Sequence, residues 1–204
     1  MAVLTISREY GAGGKTLGEL IAKKIGYACI NEQIIEMIAE RARVSKNWVE
    51  SIEKEAGGTL LKVITSMIPK SYIERILGNS SGYIDENVYV EMLTDVLTHL
   101  ADEGNCVIVG RGGQYILKDR RDVRHIFLVA HKEYRCKFMQ DNYDLLPTQA
   151  KNIVETMGKR RANLFRRFGA EEYDTPEHYN LILNMSRLSM DQAVAVVCEM
   201  FEQD

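Results

Sequence analysis

The segment Glu9-Tyr10-Gly11-Ala12-Gly13-Gly14-Lys15-Thr16 holds the residue types that bind polyanions. Glycines reach positive φ without a Cβ clash, so Gly11, Gly13 and Gly14, with Ala12 among them, let the backbone turn its N–H groups toward one anion. Against the pattern G-x-x-x-x-G-K-[ST], the ending Gly14-Lys15-Thr16 fits, while the leading glycine position holds Glu9. At a loop of this kind the lysine, here Lys15, bridges the β and γ phosphates of a nucleotide, and the hydroxyl, here Thr16, faces Mg²⁺. A carboxylate inside the nest competes with phosphate, so the direction taken by Glu9 decides whether the loop works; Arg8 beside it offers a counter-charge. The alternative reading of these residues is a glycine-rich turn carrying a surface lysine.

The flanking pattern supplies the elements that must position the loop. Val3 to Ser7 is a short β-branched and apolar run, and Leu17, Leu20, Ile21 and Ile25 follow at helical spacing, which reads as strand, loop, helix. A phosphate at that place meets the N-terminus of a helix, where unspent amides and the helix dipole favour negative charge. Tyr27 to Ile30 predicts a second strand, with Asn31 as N-cap of a helix over Glu32 to about Arg43. From Ser45 to about Gly82 the pattern is helical only, broken at Gly57-Gly58, at Pro69 and at Gly78 to Gly82, as in an inserted helical subdomain.

Asp85 opens a long helix that ends near Gly104. Cys106 to Val109 and His125 to Ala130 are uninterrupted apolar runs, suited to strands covered on both faces. Residues 131 to 141 and 148 to 167 predict helices, the second strongly basic; Asn180 to Asn184 predicts a last strand before a helix over Ser189 to Phe201. Five strands alternating with helices give an α/β doubly wound parallel sheet, whose ligands sit beyond the carboxyl ends of the strands.

A chain of 204 residues, 46% hydrophobic and 27% charged, is expected to form one compact domain without staples. Its formal net charge of −3 conceals a division: residues 118 to 167 carry 13 Lys/Arg against 6 Asp/Glu, leaving 13 against 23 elsewhere. An anionic ligand facing that segment is one reading and a solvated helical face the other. Binding of nucleic acid is not expected, because a phosphate-reading stripe usually comes with basic excess across the whole domain. The four cysteines, Cys29, Cys106, Cys136 and Cys198, lie far apart and signal neither a zinc site nor a disulfide framework. Reduced thiols, the absence of a cleavable signal pattern and the absence of an 18-residue apolar run lead to the expectation of a cytoplasmic protein with no membrane partner.

Three segments taken together, Thr5-Ile6-Ser7-Arg8-Glu9-Tyr10-Gly11-Ala12-Gly13-Gly14, Val107-Ile108-Val109-Gly110-Arg111-Gly112 and Tyr179-Asn180-Leu181-Ile182-Leu183-Asn184-Met185-Ser186-Arg187-Leu188-Ser189, resemble the cytidylate-kinase-like family, a branch of the P-loop nucleoside monophosphate kinases. The resemblance implies a three-layer P-loop fold with a five-stranded parallel sheet, and phosphoryl transfer from ATP, with Mg²⁺, to a nucleoside monophosphate such as CMP or dCMP. It implies one domain over 1–204: a core of roughly 1–35, 86–134 and 171–204, a helical acceptor-binding insert of roughly 36–85 and a basic helical lid of roughly 135–170. In that frame Arg111 matches the acceptor-phosphate arginine, Asn31 stands at an acceptor-orienting position where related sequences often carry aspartate, and Arg187 lies where such kinases pass the donor base.

Within the lid segment Lys159-Arg160-Arg161 and Arg166-Arg167 occupy successive turns, and Arg160 and Arg166, joined by Arg135, are the residues favoured to meet the transferring phosphoryl group. Gly112 and Gly113 follow Arg111 where cytidylate kinases proper place an aspartate, and no aspartate ends the Cys106 to Val109 strand, so Mg²⁺ is left to Thr16, phosphate oxygens and water. Glu9, Gly112 and Asn31 also motivate a competing reading, a nucleotide-binding module with little or no turnover; between it and the nucleotide-kinase reading lies a kinase of another small acceptor, which fold alone does not exclude. Trp48, Met67, Tyr72 and Tyr83 of the insert suit either an acceptor pocket or a core, and the apolar faces of the insert suit a homodimer.

Overall fold

The structure, a computed structural model, describes residues 2–31, 86–168 and 173–202. The chain runs β1 (Val3–Arg8), α1 (Gly14–Ile25), β2 (Ala28–Ile30), α2 (Glu86–Glu103), β3 (Cys106–Val109), α3 (Gly113–Ile116), β4 (Val123–Val129), α4 (Lys132–Tyr143), α5 (Pro147–Arg167), β5 (Leu181–Asn184) and α6 (Met190–Glu202), with a 3₁₀ turn at Pro176–His178. The expected helical insert, including Trp48, Met67, Tyr72 and Tyr83, lies outside the described residues. The five strands form one sheet in the order β2-β3-β1-β4-β5, and every neighbouring pair is parallel.

Alternation along the strands explains how both faces are buried. Leu4 and Ile6 of β1, Val107 and Val109 of β3, and Ile126 and Leu128 of β4 join one core with Leu17 and Ile21 of α1 and Ala193 and Val197 of α6. The residues between them turn to the other face, where Thr5 meets Gly113 at the start of α3 and Phe127 stacks on Tyr179 at 5.0 Å. The result is the three-layer α/β/α arrangement expected from the pattern. In each layer the loops that matter leave the carboxyl ends of strands: Glu9 to Gly13 after β1, Asn31 after β2, Gly110 to Gly112 after β3, Ala130 after β4 and Met185 to Ser189 after β5. The crevice beside β1, where the strand order reverses, is the natural ligand position in an open parallel sheet.

The observed elements differ from the expected ones by one or two residues at most ends, and β2 and β5 start one residue later than expected. β1 continues through Arg8, β4 runs from Val123 to Val129 instead of His125 to Ala130, α4 runs to Tyr143, and α5 starts at Pro147 and ends at Arg167 as expected. The single turn α3 was not expected; it is capped by Gly112 in a left-handed conformation, and one turn carries no periodicity to read.

On the α3 face of the sheet, the buried His125 ring is hydrogen-bonded through Nδ1 to Thr5 Oγ1 at 2.6 Å. Burial pulls its pKa down from 6.5 to about 4. Below about pH 6.5 the unfolded chain therefore binds a proton that the folded chain refuses, and stability falls as pH drops from 6.5 toward 4. The slope expected from this group is about 1.4 kcal/mol per pH unit. Chemical denaturation between pH 7 and pH 4 checks this: His125→Asn, which keeps an acceptor for Thr5, is expected to show a shallower decline than the parent protein.

Candidate functional site

β1 delivers its carboxyl end to a tight turn in which the Ala12 amide donates to the Glu9 carbonyl at 3.1 Å. α1 then starts at Gly14 behind Gly13, whose φ of 84° is left-handed and whose place as N-cap lacks any side-chain hydrogen bond. The first intrahelical bond runs from the Leu17 amide to the Gly13 carbonyl at 2.9 Å. The amides of Gly13, Gly14, Lys15 and Thr16 thus have no partner within the helix, and no acidic residue occupies its first turn. The positive end of the helix dipole lies at these four amides, the arrangement at which helix N-termini favour an anion. A cavity of ≈300 Å³ opens here, lined by Gly11, Gly13, Gly14, Lys15, Arg8 and Asn31 among others.

Glu9 faces away from these amides. Its Oε2 accepts the Ala130 N–H at 2.8 Å and its Oε1 lies 3.6 Å from the Arg135 guanidinium. Arg135 in turn donates Nε to the Ala130 carbonyl at 3.1 Å and Nη1 to the Tyr10 carbonyl at 3.4 Å. The worry that the acid competes with phosphate is met by geometry: the end of β4 and the first turn of α4 hold the carboxylate. Arg135 sits in this bracket, beside the loop.

Beyond β3 the backbone passes through three consecutive left-handed residues, Gly110, Arg111 and Gly112, with φ of 85°, 57° and 77°. Arg111 is the costly one, since a Cβ makes this region unfavourable, and such strain concentrates at ligand sites. It lines a cavity of ≈200 Å³ with Arg8, Arg160, Arg161, Tyr10 and Met157. A Cβ on Gly112 would sit 2.5 Å from Cε2 of the Phe168 ring, so any side chain after Arg111 would have to displace that ring and would be strained at the left-handed φ of 77°.

α5 buries Ala150, Val154, Ala162 and Phe165, and Arg161 falls on the same face. Its guanidinium pairs through both terminal nitrogens with the Asp174 carboxylate, donates to Ser7 Oγ at 2.9 Å, and lies over Phe165 at 4.4 Å and Phe127 at 5.3 Å. Tyr179 donates to Asp174 at 3.1 Å. Arg160 and Arg166 project about 120° apart around α5. Arg160 enters the arginine-lined cavity, whereas Arg166, bonded to Asn163 Oδ1 at 3.1 Å, lines a neighbouring ≈490 Å³ cavity together with Arg135, Lys132 and Lys159, and Arg161 lies between the two cavities and lines both. Sequence reasoning missed Arg161 and Asp174; the usable signal was that Arg161 shares the helical stripe of Val154, Ala162 and Phe165.

Arg187 is exposed in the loop after β5, where its amide donates to the Asn184 carbonyl at 2.9 Å. Thr16 is half-buried at the loop. Among the described residues no group of three His, Cys, Asp or Glu is placed to hold a metal, and Thr16 beside the open amides fits an ion that keeps most of its water and leans on phosphate oxygens. Cys29 and Cys106 are pushed up to about 12 by burial, so neither offers a thiolate. No helix among the described residues is long and apolar enough to cross a membrane.

Comparison with known proteins agrees with this geometry. The model of the cytidylate kinase-like family matches residues 3–187. Among solved structures, an uncharacterised protein from Eubacterium ventriosum superposes with a TM-score of 0.65 at 16% identity, covering 100% of this chain and 99% of that one. Shikimate kinase from Bacteroides thetaiotaomicron superposes with a TM-score of 0.50 at 15% identity, covering 98% of each chain. No curated protein matches the sequence.

The Arg161–Asp174 pair is largely shielded from water, with 14% and 16% of the two side chains exposed. Asp174→Ala leaves the guanidinium between two rings without its counter-ion and is expected to lower stability by about 3 kcal/mol. Chemical denaturation at neutral pH measures this, and a loss below about 1 kcal/mol, the range of exposed pairs, contradicts it.

Proposed function

The chain belongs to the cytidylate kinase-like family, and on that premise we propose that it transfers the terminal phosphoryl group of ATP to a nucleoside monophosphate, CMP and dCMP being the first acceptors to test. The observation that carries this reading is the open N-terminus of α1, with the amides of Gly13 to Thr16 unspent within the helix and Glu9 held aside. In this reading those amides hold the triphosphate, and Lys15 and Thr16 flank it. Mg²⁺, when bound to Thr16 and the phosphates, neutralises charge on the transferring group.

The acceptor phosphate belongs beside Arg111, in the ≈200 Å³ cavity that Arg160 also lines. A guanidinium grips a phosphate bidentately and fixes its orientation, which suits a reaction made fast by positioning and electrostatics. Asn31, at the rim of the donor cavity, is placed in the reading as an acceptor contact, and Arg187 as a contact to the donor base. The segment 135–170, whose described part is mainly α4 and α5, acts as the lid and residues 36–85 as the acceptor-binding insert. Arg135, anchored in the Glu9 bracket, joins the loop to that lid, while Arg166 lines the neighbouring cavity.

Gly112 bears on specificity. With glycine instead of aspartate after Arg111, the acceptor's base is read by other contacts or not at all, which favours a broader acceptor range than a strict CMP enzyme has. ADP release measured with a panel of nucleoside monophosphates, with shikimate as a non-nucleotide acceptor, tests this. Turnover is expected with at least one pyrimidine monophosphate; turnover with shikimate alone, or with none by well-folded protein, contradicts the reading. Arg111→Gln is expected to lower kcat/KM for the acceptor by about 10- to 100-fold, the effect of losing charge-assisted phosphate contacts.

A further inference from the structure

At a loop ending Gly-Lys-Thr, the lysine is the expected partner of the phosphates. In this chain a second cation, Arg8, lines the same cavity as Lys15. Lys15 is the second residue of α1; its side chain is 43% exposed and its Nζ lies 3.9 Å from Glu19 Oε1, one turn further along. It leans toward Glu19 while still lining the cavity of the loop. Arg8 instead crosses the loop. A Cβ on Gly14 would lie 2.8 Å from Arg8 Cγ and 3.1 Å from its Cβ and Cδ, and a Cβ on Gly110 would collide with Arg8 Nη1. Two glycines, one opening α1 and one following β3, are bare where the arginine passes over them.

The stem of Arg8 therefore rests against the phosphate loop while its guanidinium reaches the carboxyl end of β3. Of the charged side chains lining the two cavities, among the described residues, Arg8 alone lines both: the ≈300 Å³ cavity of the loop, and the ≈200 Å³ cavity of Arg111 and Arg160. Donor and acceptor meet at the junction of these cavities in the function proposed above, on which this inference rests.

We propose that Arg8 is a catalytic residue that holds the phosphoryl group in flight between donor and acceptor, doing from β1 what a loop lysine does elsewhere. An oxygen of the acceptor phosphate attacks the γ-phosphorus of ATP, the bond from that phosphorus to the β–γ bridging oxygen breaks, and its electron pair leaves with ADP. The attacking oxygen is already anionic, so no proton has to be removed. Charge spreads over the equatorial oxygens meanwhile, and a planar guanidinium, charged at any working pH, can donate to two of them. Gly14 is then required because any side chain there displaces the stem of Arg8.

Single-turnover transfer from ATP to the best acceptor, measured on the full chain, tests the assignment with Arg8→Gln, Arg8→Lys, Lys15→Gln and Gly14→Ala. Arg8→Gln is expected to slow transfer by about 10³-fold, at least about tenfold more than Lys15→Gln. Arg8→Lys is expected to recover only a small part, because an ammonium lacks the fork. Gly14→Ala keeps both cations and is expected to slow transfer by about tenfold or more through the displaced stem. A larger loss from Lys15→Gln than from Arg8→Gln, or near-parental rates in Arg8→Gln, overturns the proposal.

Should Arg8→Gln fail to fold, the Arg8→Lys rate carries the comparison, and a parental rate there overturns it equally. Should the parent protein transfer to no acceptor, the proposed function fails by itself, and calorimetry with inorganic triphosphate decides the role of Arg8 separately. Binding weakened about tenfold or more in Arg8→Gln keeps it as a phosphate ligand; unchanged binding removes it.

Discussion

The direction of one carboxylate controls what the loop after β1 can do. A glutamate within reach of an open helix N-terminus is a ready internal anion, able to satisfy the amides of Gly13 to Thr16 and to exclude phosphate. Glu9 is denied that position because the Ala130 amide and the Arg135 guanidinium claim it first. Arg135 is fixed in its turn by the carbonyls of Ala130 and Tyr10. The bracket brings the start of α4 so close that a Cβ on Gly11 would lie 2.8 Å from the Arg135 carbonyl oxygen. Loop and helix are therefore one mechanical unit, and the residue that threatened anion binding is the one that joins them.

A second constraint fixes α5. Arg161, held by Asp174 and Ser7 and layered over Phe127 and Phe165, ties the helix to the ends of β1 and β4. With that splint in place the two sides of α5 face different cavities, and only one of them contains the strained Arg111 and the crossing Arg8. Positive charge, spread along residues 118 to 167 in the sequence, is sorted by the fold into a cation paired with Asp174, a cluster beside Arg111, and a second group around Arg135 and Arg166, with Arg161 lining both cavities. Phe168 completes the arrangement by filling the space beside Gly112.

Strand, loop and helix order was readable because it depends on local signals: apolar runs for strands covered on both faces, glycines at the turn, 3.6-residue spacing for α1. Cys106 to Val109 has the bounds expected of it, and the phosphate loop sits where its glycines put it. The orientation of Glu9 was beyond such reading, since its partner Ala130 lies 121 residues away. The same holds for Asp174 and for the glycines that Arg8 crosses: Gly14 and Gly110 look like flexible turn residues in sequence, whereas in the fold both lie against Arg8 and Gly110 is also left-handed. Arg160 and Arg166 looked alike on a helical net, and packing of Phe165 and Val154 into the core decided which direction each faces.

The central claim is that the amides opening α1 are available to a polyanion while Glu9 stays with Ala130. The most direct measurement is amide NMR of ¹⁵N-labelled protein titrated with ATP and Mg²⁺. The account predicts saturable shifts at Gly13, Gly14, Lys15 and Thr16 with the Ala130 amide nearly unmoved. Silent resonances at Gly13 to Thr16, or a large shift at Ala130 showing that Glu9 must first be expelled from the loop, would contradict it.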